Sequence, residues 1–181
     1  EGTPRVILQY LRGYALALYR ARRNAEARLV FRDIENRGAL QTSDRVEYAH
    51  VLARLDRWDE AEAVARPIPR DYASVRWAQL RGVLADHRGD WAAADAAYAE
   101  ARELTVQPAP VYNNWGVSKM ARGDLPGAES SFEQALIYDP DLFNAKNARS
   151  SLVLGHARGA AMLAGARAGL AVHEYAPAEV K

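Results

Sequence analysis

Apolar and polar positions along the chain recur on a long period. Ala27, Ala61, Ala94 and Ala128 fall in register, as do Phe31, Tyr98 and Phe132 with Ala65 in the remaining place, and Ala15, Ala49, Gly82 and Gly116. The steps are 34, 33 and 34 residues, the length of a helix–turn–helix repeat. The spacing predicts four units at about 8–41, 42–74, 75–108 and 109–142, then a partial fifth first helix over 143–154 and a capping helix and tail over 155–181. No single unit can bury its apolar stripe alone, whereas stacked units share a continuous core.

The recurring residues have mechanical reasons. Small side chains at Ala15, Ala49, Gly82 and Gly116 let the two helices of one unit approach closely, and the aligned alanines let each second helix meet the next unit. Phe31, Tyr98 and Phe132 fill the space between layers. Thr42, Asp71 and Asp141 are expected to cap first helices, Pro110 to sit in a first turn, and Gly89 and Gly123 to end helices in a left-handed conformation. Pro67 and Pro69 must stop the second helix of unit two near Arg66, since proline lacks the amide donor. With Ala65 breaking the aromatic series, unit two is the expected loose joint.

The clearest unit carries Tyr112, Trp115-Gly116, Gly123-Asp124, Ala128, Phe132, Ala135 and Pro140. This pattern resembles the tetratricopeptide repeat family, and the likeness extends over roughly residues 8–154. The resemblance implies an all-α, right-handed superhelical α-solenoid whose first helices line a concave groove. Carried over place by place, it implies a partner-binding groove of Arg12, Tyr19, Arg20, His50, Arg54, Arg76, Gln79, His87, Asn113 and Asn147. It also implies a structural role for Asn114. The lysines that some relatives use to clamp a C-terminal carboxylate are missing from these places.

Charge changes this picture little. The net formal charge is +1, divided as +4 over residues 1–41, −6 over 42–142 and +3 over 143–181. No dense basic stripe results, so no nucleic-acid partner is expected. The chain has no cysteine, which removes disulfides and thiolate chemistry, and its four histidines lack the spacing that pairs two imidazoles on one helix face. No phosphate-binding glycine loop is present. Carboxylates lie on helices beside arginines, as solvated faces do. The expectation is therefore no metal, no cofactor and no enzymatic activity. Trp58, Trp91 and Trp115 read as core, Trp77 equally as core or groove rim. The glycine-spaced, alanine-rich stretch after Gly155 is too short to cross a bilayer and reads as a terminal packing helix or a contact with a second copy.

A narrower likeness lies in Asn113 to Asp124, Phe132 to Leu136 and Tyr138-Asp139-Pro140, which resemble the tetratricopeptide lipoproteins of bacterial Tad (Flp) pilus assembly. That resemblance implies a scaffold for pilus or secretion components, periplasmic or attached to the outer membrane, with an export signal or lipid anchor ahead of residue 1. A cytoplasmic adaptor or chaperone, and a homo-oligomer built through the C-terminal helix, stand as alternatives.

Overall fold

The computed structural model describes residues 5–167, and every regular element among them is an α-helix. Helices α1 (Arg5–Arg20) and α2 (Asn24–Asn36) form the first hairpin, α3 (Thr42–Ala53) and α4 (Trp58–Ala65) the second. The third is α5 (Val75–His87) with α6 (Trp91–Glu103), and the fourth α7 (Ala109–Ala121) with α8 (Leu125–Tyr138). A longer helix, α9 (Phe143–Arg167), follows. Within each hairpin the two helices pack on each other, and α3, α5, α7 and α9 each rest on the hairpin before them. The chain is an α-solenoid of repeated helix hairpins.

The small residues act at the predicted contacts. A Cβ added to Gly82 would meet the Tyr98 ring at 2.8 Å, and one added to Gly116 would meet Phe132 at 2.7 Å. Ala15 and Ala49 are wholly buried at the same place in the first two units, and so are Ala27, Ala61, Ala94 and Ala128 on the second helices. Phe31, Tyr98 and Phe132 are among the largest fully buried side chains. Gly89 and Gly123 have positive φ, 71° and 82°, at the turns inside units three and four, where a Cβ would be strained.

Several local expectations are corrected. Gln41, not Thr42, caps α3: its backbone amide donates to Asp44 Oδ2 (2.9 Å) in a reciprocal capping box. Ser74, not Asp71, caps α5, accepting from the Trp77 amide. Residues 66–74 therefore form a longer connection than the period suggests, because two prolines end α4 at Ala65. Ile68 nonetheless remains buried at the place held by Ile34, Ala101 and Ala135 in the other units, so the core register survives the break in the helix. Asp141 stands two residues ahead of α9. That helix runs unbroken past residue 154, and residues 168–181 of the expected tail lie outside the described residues.

Candidate functional site

The first helices place one polar or cationic residue per turn along a shared face, and these residues converge. A cleft of about 550 Å³ runs across α1, α3, α5 and α7 and is lined by six of the ten predicted residues: Tyr19, His50, Arg54, Arg76, Gln79 and His87. Arg20 lines an adjoining cleft of about 520 Å³, with Leu16, Ser43 and Glu47 beside it. Arg12, Asn113 and Asn147 line neither.

Two of the predicted groove arginines are already committed to neighbouring repeats. Arg12 donates from Nε to Asp44 Oδ2 (2.7 Å) and from Nη2 to the Ala39 carbonyl (2.6 Å), tying unit one to the start of unit two. Arg76 forms a bidentate pair with Glu47, Nε to Oε1 at 3.0 Å and Nη2 to Oε2 at 2.7 Å, and Nη2 also donates to the Tyr19 hydroxyl at 3.1 Å. Burial works against the charge on Arg76, but the hydrogen bonds and charge of Glu47 outweigh it and hold the guanidinium above its ordinary value. Burial likewise opposes ionisation of Glu47, and Arg76 outweighs it, keeping the carboxyl below its ordinary range. Such fork-to-fork pairs fix geometry as well as charge.

His50 is buried, and its Nε2 lies 3.0 Å from the Arg76 carbonyl, to which a neutral ring donates its proton. Burial, then the positive charge of Arg76, push this imidazole down to about 4. It is therefore an uncharged part of the groove wall at neutral pH. Arg54 is exposed and stacks its guanidinium 4.5 Å from the Tyr19 ring centre. It makes no ion pair with the described residues and lines the cleft. Gln79 is buried against the cleft, and His87 stacks on Trp58 with ring centres 4.1 Å apart.

At the α7 end, Asp86 accepts from the Tyr98 hydroxyl (3.0 Å) and Ser118 Oγ (2.6 Å). Burial, only partly offset by those bonds, raises its carboxyl above the usual value. Burial and the neighbouring Asp86 charge raise the Tyr98 phenol in turn. Ala53, Val83, Val117 and Ala121 supply apolar lining between the polar groups. The Arg54 guanidinium and the Gln79 amide thus stand among apolar stretches of the cleft wall.

The four arginines of the expected groove thus divide in two. Arg12 and Arg76 hold repeats together, while Arg20 and Arg54 are the exposed cations at the clefts. Trp58 packs against the core as expected and also forms part of the groove wall, whereas Trp91, expected in the core, is exposed at the surface. Trp77 is buried in the core, with the Arg81 guanidinium 5.7 Å from its ring centre. Trp115 is half-buried between Tyr98 and Tyr112. Asn114 is exposed and borders the cleft, bonded only weakly to Asn113 (3.4 Å). Sequence reasoning missed Trp58 and Asp56 because they lie at the turn entering a second helix, outside the places that first helices contribute. Asp56 adopts a positive φ of 56° there.

Stacked hairpins with a cleft along their first helices define a helical-repeat protein of tetratricopeptide-like build. The comparisons with known proteins add a second element at the C-terminal end. Residues 130–181 match the family of the crossover junction endodeoxyribonuclease RuvC. The chain is 54% identical over 59 residues to the crossover junction endodeoxyribonuclease RuvC of Myxococcus xanthus, covering 33% of this chain and 31% of that protein. It is 48% identical over 66 residues to the corresponding protein of Anaeromyxobacter sp. strain Fw109-5, covering 36% and 28%. The chain spans about a third of the length of these curated relatives. Among solved structures, MamA AMB-1 superposes with a TM-score of 0.49 at 17% identity, over 86% of this chain and 85% of that one. A likeness of that strength carries no weight beside the helices themselves.

Two expectations are overturned by these matches. The absence of enzymatic activity was read from missing metal, nucleotide and nucleophile motifs, and the absence of a nucleic-acid partner from the missing basic stripe. The relatives at the C-terminal end are named as DNA-cleaving enzymes, so neither exclusion stands. Motif spacing could not find this, because the shared segment is alanine-rich and carries none of the metal, nucleotide or nucleophile spacings, so it reads as packing surface. Among the described residues no group of three or more His, Cys, Asp or Glu could hold a metal ion, and no helix is long and apolar enough to cross a membrane.

Proposed function

We propose that the helical array is a protein-interaction scaffold that holds a peptide or helix of a partner in the cleft across α1, α3, α5 and α7. The observation that carries this reading is the convergence of Tyr19, His50, Arg54, Arg76, Gln79 and His87, from three consecutive units, on one cavity of about 550 Å³ with apolar stretches between them. A size of this order accommodates anchoring side chains rather than a whole folded domain. The test is selection from a displayed random-peptide library on the full chain, repeated with Val117→Trp, which fills the cleft from an exposed position. Peptides retained by the native chain and lost by the variant support the groove. Retention by both removes it. The matches lend no support to the narrower pilus-assembly reading.

A second reading rests on the match at residues 130–181. In it, this segment takes part in recognition or cleavage of DNA crossover junctions, as the names of its relatives state for those proteins. Gel-shift and cleavage assays of the full chain on a four-way DNA junction, against linear duplex as control, test it. Preference for the junction would support the reading, and equal or absent binding with no cleavage would remove it.

A further inference from the structure

Unit two departs from the other units at one place in the core, and a cavity lies there. Ala65 stands where Phe31, Tyr98 and Phe132 fill the space between layers. The residue that would meet such a ring is changed as well: Arg81 holds the place of Tyr48 and Trp115, which stack on Phe31 and Tyr98. Arg149 holds that place in α9, but it follows a unit that keeps its Phe132. With α4 ended at Ala65 by the prolines, two adjoining cavities of about 450 and 440 Å³ lie between α4, the connection after it, α5 and α6. Both are lined by Trp77, Arg81, Leu84 and Arg88, and neither shares a residue with the clefts along the first helices.

The lining is cationic and short of acceptors. Arg66, Arg70, Arg81 and Arg88 line the first cavity against a single acid, Glu62. Arg88 is paired with Glu62 (2.8 Å) and Arg81 with Glu100, whereas Arg66 and Arg70 are exposed and make no ion pair with the described residues. Of the five buried side-chain polar atoms without a partner among the described residues, two are Trp77 Nε1 and Arg81 Nε. Both atoms are donors, both side chains line both cavities, and Trp77 is only 8% exposed. Buried donors are ordinarily bonded, so these two call for an acceptor. Ala65, Ile68 and Leu84 add apolar wall beside them.

We propose that this cavity binds a small phosphate monoester, its phosphate held by Arg66 and Arg70 with Trp77 Nε1 and Arg81 Nε as further donors, and its organic part against Ala65, Ile68 and Leu84. Two unpaired guanidinium groups match the nearly double negative charge of a monoester at neutral pH, and their forked donors suit its oxygens. A space of about 450 Å³ is far larger than a bare phosphate ion and falls within the range of small-ligand sites. The site stands or falls independently of the partner-binding cleft.

The probe is phenyl phosphate, titrated calorimetrically into the full chain at neutral pH. Saturable binding is expected, weakened at least about tenfold by Arg66→Ala combined with Arg70→Ala, and weakened by Trp77→Phe, which removes the indole donor. Both arginines are exposed and unpaired, so the thermal midpoint of the double variant without ligand should stay at the native value and exclude misfolding as the cause. A control pair, Arg5→Ala with Arg22→Ala, is equally exposed and makes no ion pair with the described residues, and it should bind as the native chain does. Inorganic phosphate should bind more weakly than the ester, and a dinucleoside monophosphate, whose diester carries a single charge, more weakly than the ester too. No saturable binding, binding unchanged in either cavity variant, or an equal loss in the control pair would overturn the proposal. So would inorganic phosphate binding as tightly as the ester, or tighter binding of the diester, the mark of a nucleic-acid backbone site.

Discussion

At the scale of single residues, close packing and burial decide which changes matter. The Phe132 ring occupies the space a Cβ at Gly116 would need, and both are held by the core, so neither can move aside cheaply. Gly116→Ala should lower stability by about 1–3 kcal/mol in chemical denaturation. Gly13→Ala on α1, with nothing within 4 Å of the added carbon, should raise it by roughly 0.5–1 kcal/mol through helix propensity alone. His50 makes the stability depend on pH. Its folded value of about 4 lies below the ordinary 6.5, so the unfolded chain binds more protons between those limits. Its contribution is fully retained above pH 6.5, falls as the pH drops and levels off below about 4. His50→Gln keeps a donor for the Arg76 carbonyl without titrating. The native chain should therefore lose roughly 3 kcal/mol more than the variant between pH 7 and 4 in parallel denaturation curves.

At the scale of elements, the second hairpin is where pattern and structure part. The register of Ala27, Ala61, Ala94 and Ala128 made four hairpins legible in the sequence, because contacts between layers tolerate only small residues there. The caps were less legible. Asp44 at the third position of α3 reaches back to the Gln41 amide, and a side chain that bonds backward carries no local signal distinguishing it from the threonine between them. Ile68 shows the same limit, since it keeps its core place on a connection that is no longer helical. Ile68→Ala should cost about 2–5 kcal/mol despite lying outside any helix, a loss that urea titration would register directly. A cost below about 0.5 kcal/mol would mean that unit two does not rely on this side chain to close its core.

At the scale of the whole molecule, stacking converts scattered polar residues into a surface. Six of ten predicted groove residues meet in one cleft, and the arginines that do not contribute free charge were unreadable from sequence for a physical reason. Arg12 and Arg76 find Asp44 and Glu47 at separations of 32 and 29 residues, pairings that exist only once hairpins are stacked. The exclusions of catalysis and of nucleic acid failed for a related reason: α9 continues the helical pattern of the array to Arg167, while residues 130–181 match the family of a junction-cleaving enzyme without any motif that announces its chemistry. Hydrogen–deuterium exchange of the full chain, with and without a saturating groove-selected peptide, tests the scaffold account most directly. The account predicts slowed exchange in α3 and α5 and at the facing ends of α1 and α7, with α9 unchanged. Protection confined to α9 would contradict it.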